Sequence, residues 1–480
     1  MSQSTSSRST WSNRWAFILV TIGSAVGLGN IWKFSYIAGA SEGSVGIFVV
    51  VYLACVALIG LPLLMAEILI GRRGRGNPVV AMLNTARESG NSPWWALLGW
   101  VGIFGALMIL SFYSVVSGWM VDYFWHSLVE GVQVGTPEAA VAAYDELMSN
   151  PLRLSFWHTI FMILATGVVA RGVIGGIETA NKIMLPLLFL ILVLLTLWGA
   201  AVGDMPTALR FMFNLKVEAI KPGVVLDGMG HAFFSLSLGM GAIMAYGSYL
   251  DKRTSIGNTC VWIVVAGVFI GLLCGAAIFS LTFGFDLTPD TGPGLMLKTL
   301  PLAFTHMPGG RVFATLFFLF VIFAAWTSAI SLLEPFVSWL TERYGIRRAR
   351  AAWATALPVW LLGVAVCLSF NDWSEYRIFD RNLFGVLDHL ATRFIMPLSG
   401  LAIAIYVGWR LGKVIVVDEI RLKQRAFTLW FNVLRYVVPV GISLVFLYEL
   451  GGTALLIYVV PAGILLVFFI IKQVLRDWLK

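Results

Sequence analysis

Charge is scarce in this chain. Of 480 residues only 12% are Asp, Glu, Lys or Arg while 59% are hydrophobic, a balance on which no soluble globular domain is built. Cysteine is scarce too. Cys55, Cys260, Cys274 and Cys367 all fall in apolar stretches without CxxC spacing, which leaves buried apolar thiols and supports neither a disulfide framework nor a zinc site. The five histidines include no HExxH and no second histidine at helical spacing. With no nucleophile elbow, P-loop or kinase signature either, an enzyme has no residues to stand on. No linker or low-complexity segment divides the chain beyond the polar tail Met1–Thr10. No cleavable leader is visible, because the first apolar stretch continues as a full span.

What the chain has in abundance is apolar length. Gly43 to Ala66 runs 24 residues without a charge, enough to cross a hydrocarbon core of ~30 Å. Twelve such segments are expected, at roughly 14–38, 44–70, 94–128, 154–170, 178–201, 223–250, 256–285, 310–341, 349–370, 383–411, 427–449 and 453–473. An even number puts both termini on one side. Most of the 33 Lys and Arg residues fall on that side, in clusters such as Arg72-Arg73-Arg75 and Arg347-Arg348-Arg350. Positive charge stays inside, so that side is cytoplasmic and the protein is expected in the cell inner membrane as a multi-pass chain. The net charge of +8 is therefore topological, and points to a lipid bilayer rather than to nucleic acid.

Two spans carry glycine-rich interruptions. Residues 23–30 read Gly-Ser-Ala-Val-Gly-Leu-Gly-Asn, and residues 237–241 read Ser-Leu-Gly-Met-Gly. Glycine pays the largest backbone entropy in a helix, so such runs favour unwinding. Unwound backbone inside a bilayer is tolerated only where it is buried in protein or lines a cavity. The interrupted spans are the first and the sixth. A unit of five spans, repeated, gives two halves of opposite orientation, with a substrate and ion site between them. A single transporter domain, 1–480, is expected, with repeats at 11–205 and 206–412 and two further spans in 413–480. The repeat is inferred from topology, since the halves show no residue-level similarity. The competing reading of the glycines is close helix packing alone.

The stretches Trp11–Lys33 (WSNRWAFILVTIGSAVGLGNIWK), Gly60–Gly71 (GLPLLMAEILIG), Phe233–Tyr249 (FFSLSLGMGAIMAYGSY) and Ala324–Pro335 (AAWTSAISLLEP) resemble the neurotransmitter:sodium symporter family, and within it the bacterial amino-acid transporters. The resemblance implies an all-α membrane protein of about twelve helices, with a 5+5 inverted repeat and broken first and sixth helices. It also implies sodium-coupled uptake of an amino acid by alternating access. The alternatives are a sodium-coupled transporter of another small zwitterion, such as a compatible solute, and a membrane protein that senses a substrate without moving it.

Within that resemblance the substrate carboxylate belongs at the N–H groups of Leu28 and Gly29, where a helix N-terminus favours an anion, with the Tyr113 hydroxyl beside it. Amine transporters carry an aspartate where this chain has Gly27, so the substrate has to bring its own negative charge. The implied pocket is mostly apolar: Ala25, Ile109, Tyr113, Val116, Phe234, Ser235, Ser237, Gly239, Met240, Gly241, Ser328 and Leu332. A hydrophobic side chain suits it.

One or two sodium ions are implied. The second site has its full set: the carbonyls of Gly23, Val26 and Ala324 and the hydroxyls of Thr327 and Ser328. Adjacent Thr-Ser in an apolar helix can also simply bond back to its own carbonyls. The first site keeps Ala25, Asn30 and Ser235 but departs elsewhere. Gly267 stands where the family has Asn or Asp, His231 where it has glutamine, and Gly271 where chloride-dependent members keep a serine, while Tyr52 is retained. Chloride is poorly provided for. His231 either carries a proton or donates a hydrogen bond. Two gates are implied, Lys33 with Asp388 outside, and Arg8 with Glu342 inside above a packed Trp11. Arg393 either reaches Asp388 or faces the vestibule. Glu67 and Glu334 are expected to satisfy broken-helix backbone. Which amino acid, and whether the chain is a monomer or a homodimer, are left open.

Overall fold

The computed structural model describes residues 10–33, 45–131, 134–215, 222–287 and 294–451; the side chains of 32–33, 222 and 448–451 lie outside that description, as does the twelfth expected span. The first span comprises α1 (Arg14–Ala25) and a short wide-turned helix α2 (Gly29–Lys33). The second is α3 (Val45–Gly74), followed by α4 (Pro78–Glu88). Next come α5 (Pro93–Val129), α6 (Pro137–Ser149), α7 (Pro151–Ala170), α8 (Val173–Val202) and α9 (Met205–Phe213). The sixth span is split into α10 (Pro222–Ser235) and α11 (Ala242–Gly247). The rest is α12 (Ile256–Gly284), α13 (Leu300–His306), α14 (Gly310–Tyr344), α15 (Arg348–Leu368), α16 (Leu383–Arg410), α17 (Lys413–Ile420) and α18 (Gln424–Leu447).

Among the described residues nine helices are long and apolar enough to cross a membrane, and with the two split spans they account for every expected span but the twelfth. Their starts follow the capping rules. Asn13, Asn77, Asn150 and Asn382 each accept a hydrogen bond from a backbone N–H two or three residues on, and Pro78 and Pro151 occupy first-turn positions where no N–H is needed.

Large apolar side chains face outward along the bundle, among them Phe104, Ile163, Ile183, Leu197, Phe269 and Leu361. In water they would form an aggregation-prone surface; in a bilayer they are the lipid-facing belt. Exposed Trp94, Trp125, Trp262, Trp353 and Trp409 sit near helix ends, where an amphipathic ring suits the headgroup region.

The centre is built on α5 and α14, which pack along each other, while α1 is held between α8, α12 and α14 and α11 lies against α3. Lipid tails are as apolar as leucine, so close contact between small residues does much of the work here. Gly102 of α5 meets the second break directly: a Cβ there would come within 2.9 Å of Gly241 N. At the basic end of the bundle Arg72 is buried. Its Nε donates to Glu419 Oε2 at 2.7 Å and its Nη1 to Thr254 O at 2.6 Å, tying α3 to α17 and to the turn before α12.

Candidate functional site at the two helix breaks

The first break is shorter than the glycine pattern suggests. Gly23, Ser24 and Ala25 stay helical in α1, and the unwound residues are Val26 and Gly27. The second break runs from Leu236 to Gly241. Its turns need left-handed backbone, at Ser237 (φ 53°), Gly239 (φ 76°) and Gly241 (φ 72°). Glycine adopts that conformation without penalty and serine does not, so Ser237 is held there by its contacts. The Ser237 hydroxyl donates to Ser24 O across the breaks at 2.8 Å. Glu67 of α3, fully buried, accepts from Gly239 N at 2.7 Å. That matches the expectation for Glu67. Glu334 differs: it accepts from the Tyr249 hydroxyl at 3.0 Å and pairs with Arg348, so it ties side chains rather than backbone.

Between the breaks lies a small cavity of about 20 Å³, room for roughly one water. Ala25, Gly27, Gly29, Ile109, Tyr113, Phe234, Ser237, Met240, Ser328 and Leu332 line it, together with Ser24. Leu28 N–H donates to the Tyr113 hydroxyl at 3.0 Å, which leaves that hydroxyl's own proton to give to another acceptor. Gly27 is under Tyr113 and Ser328. A Cβ there would lie 2.8 Å from the Tyr113 oxygen and closer still to Ser328 Oγ, so even alanine does not fit. Gly29 is likewise covered by the ring of Phe234.

Four expected pocket residues stand elsewhere. Val116 is buried in α5 away from the cavity. Gly239 packs on Met396, whose carbonyl a Cβ would approach to 2.5 Å, and Gly241 packs on Gly102 and Pro78; these glycines serve close approach. Ser235 accepts a 3.4 Å hydrogen bond from the Tyr52 hydroxyl, behind the cavity wall.

On the other side of α1 the Ser328 hydroxyl lies 3.3 Å from Gly23 O and 3.2 Å from Ser24 O. Thr327 Oγ1 points at its own helix instead, 3.0 Å from Ala324 O and 3.1 Å from Phe323 O. Thus Ser328 and the Gly23 carbonyl, two of the groups expected to hold sodium, meet where α1 packs on α14, while Thr327 is bonded back as Thr in apolar helices commonly is. Ser24 was not singled out from sequence. It accepts from Ser237 and Ser328 through its carbonyl, and its hydroxyl donates to Ser331 Oγ at 2.8 Å. A small polar residue beside a glycine carries no signal of that kind.

The model of the sodium:neurotransmitter symporter family matches residues 8–136 and 148–469. The chain belongs to that family. A sodium-dependent transporter of Bacillus subtilis (strain 168), YhdH, is 33% identical over 446 residues, spanning 92% of this chain and 97% of its own. A sodium-dependent transporter of Haemophilus influenzae is 31% identical over 459 residues, 94% of this chain and all of its own. The crystal structure of MhsT in complex with L-phenylalanine superposes with a TM-score of 0.85 at 35% identity, covering 92% of this chain and 99% of that one. This symporter is thus a sodium-dependent transporter and a multi-pass membrane protein with the split first and sixth helices of its relatives' fold.

Around the residues expected to hold a first sodium ion the symporter is sparser. Asn30 is buried, and among the described residues both atoms of its amide lack a hydrogen-bond partner. Gly271 faces it at a distance, with a Cβ at 271 falling 3.9 Å from Asn30 Cβ, and a Cβ at Gly267 would meet nothing within 4 Å. His231 is buried with its ring on Tyr52, centroids 4.7 Å apart, and on Phe48 at 5.9 Å.

The gates are described in part. Arg8 and the Lys33 side chain lie outside the described residues, so neither pair is visible as a whole. Asp388 sits in α16, and Glu342 accepts from Asn77 N at 2.9 Å and Asn77 Nδ2 at 2.8 Å. Trp11 is packed as expected: Nε1 donates to Tyr246 O at 3.1 Å and the ring meets Tyr246 and Tyr249 edge-on. Beside it is a clasp with no sequence signature. Ser12 N donates to Glu178 Oε2 at 3.2 Å, its hydroxyl bonds the same carboxylate, and Lys182 pairs with Glu178 at 2.6 Å. Arg393 pairs with Asp227 of α10 at 3.0 Å, a contact that the sequence did not suggest.

Proposed function

We propose that this symporter couples sodium entry to uptake of an amino acid with a hydrophobic side chain, by alternating access across the cell inner membrane with both termini cytoplasmic. The cavity carries this reading. It offers an anion the N-terminal end of α2 and the proton of Tyr113, offers an amine no acidic side chain, and is otherwise walled by Ile109, Phe234, Met240 and Leu332. At about 20 Å³ it is too small for such a substrate as it stands, so binding has to push the flexible Met240 and the Phe234 ring aside. MhsT was crystallised with L-phenylalanine, which supports a substrate of that class here.

Sodium sits, on this reading, on Gly23 O, Val26 O, Ala324 O, Thr327 and Ser328, with the Thr327 hydroxyl sharing its oxygen between Ala324 O and the ion. A second ion on Ala25, Asn30 and Ser235 is held more weakly, because Gly267 contributes no oxygen and a hard cation needs several. The Asn30 amide supports that placement, and chloride finds no serine at 271. The two repeats, 11–205 and 206–412, rock about the site while 413–480 stays outside them. One charge moving down 100 mV supplies ~2.3 kcal/mol, about fifty-fold accumulation before the sodium gradient is counted.

Uptake into proteoliposomes under imposed sodium and pH gradients, over a panel of amino acids and betaines, tests this. Hydrophobic amino acids should accumulate only with sodium outside. A betaine accumulating in their place, or binding without counterflow, overturns the reading.

A further inference from the structure

Asn181 belongs to α8, a helix in which the sequence shows no site residue. Its side chain is fully buried. Nδ2 donates to Ile177 O one turn earlier at 2.9 Å. That carbonyl can only accept, so the amide nitrogen must face it and the amide oxygen must face the other way. Among the described residues Oδ1 has no hydrogen-bond partner. It is aimed at Gly23: a Cβ built on Gly23 would run into Oδ1, and would lie 3.2 Å from Thr327 Cβ. The oxygen therefore sits where α1, α8 and α14 converge, against two residues of the second sodium site.

A buried acceptor without a donor costs free energy that an apolar side chain of the same shape would not incur. A fixed carbonyl-type oxygen is also the ligand a hard cation prefers, and it brings no charge of its own. We propose that Asn181 Oδ1 is a further oxygen ligand of the second sodium site, reaching the ion from α8 directly or through one water. This rests on the placement of sodium at Thr327 and Ser328. Its consequence is that α8, and not only α1 and α14, is held by the ion, so sodium binding and the position of α8 are linked.

The test is a sodium titration of the purified full-length chain, read as the rise in melting temperature with sodium concentration, since an ion that binds only the folded state stabilises it. Thr327→Ala serves as the reference and should raise the half-saturating sodium concentration several-fold. Asn181→Leu and Asn181→Ala should raise it about fivefold, the size of one ordinary net polar contact. Asn181→Leu should do so with little change in melting temperature in sodium-free buffer, because the bond it loses to Ile177 O is offset by removal of an amide oxygen that has no donor. Asn181→Ser, which keeps an oxygen at shorter reach, should fall between wild type and alanine and carries the test if the larger changes do not fold. An unchanged sodium midpoint in the Asn181 variants beside a shifted Thr327→Ala overturns the role of Asn181 alone. No shift in any of them, Thr327→Ala included, overturns the site itself.

Discussion

The two flanks of α1 differ in how their oxygens are supplied. Toward α14, carbonyls of Gly23 and Ser24 meet the hydroxyls of Ser328 and Ser237 within 2.8–3.3 Å, so backbone and side chains from three spans converge. Toward α12, a Cβ on Gly271 would lie 3.9 Å from Asn30 Cβ and one on Gly267 would meet nothing within 4 Å, so neither position supplies a side-chain oxygen. The first flank draws its ligands from residues that also hold the breaks together, and removing one disturbs both. The second depends on single side chains that can be lost by one substitution while the fold stands. An ion should accordingly be held firmly on one flank and loosely on the other.

The strongest way to break that contrast is to strip the firm flank. Thr327→Ala with Ser328→Ala removes two oxygens, and at ~1.5–3 kcal/mol for each hydrogen-bond-strength contact to a charge the sodium dependence of uptake should move beyond physiological concentrations. Unchanged sodium dependence would place the ion elsewhere. Next in size is the residue between the flanks. Tyr113→Phe keeps the ring but loses the hydroxyl that meets Leu28 N–H, and should weaken amino-acid binding by about 1–3 kcal/mol, checked by radioligand binding. A decarboxylated analogue that binds as well as its parent would show that no carboxylate is read there.

Smaller effects sharpen the weak flank. Gly267→Asn has open space for its side chain, so it should fold, and it should lower the half-saturating sodium concentration several-fold in the same binding assay. If His231 carries a proton, uptake should depend on pH, and His231→Gln should flatten that profile with little change in maximal rate. A profile unaffected by His231→Gln would make the ring on Tyr52 a packing residue. Least of all should chloride matter: gluconate in its place should leave uptake unchanged.

Helices and breaks were legible because hydropathy and glycine runs act locally; the nine long helices and both splits stand near their expected bounds. Motif placed Tyr113, Ser328 and Leu332 together near the breaks, and all three line the cavity. The contributions of Ser24, Asn181 and the Ser12–Glu178 clasp were not, since each depends on a partner 166 or more residues away, or on an oxygen's direction that no spacing encodes. Gly239 and Gly241 show the reverse failure. Motif reading put them in the pocket, but a glycine admitting a ligand and one admitting a neighbouring backbone look alike in sequence.

The seam between Gly102 and Gly241 bears on how the machine can move. Two backbones in contact without a methyl's width of slack resist sliding, because a small shift that brings Val101 or Ile103 into the gap is blocked. The second break is thereby pinned to the scaffold helix α5, and the pivot for exposing the cavity to one face and then the other has to lie in the parts not so pinned, α1 and α2 first among them.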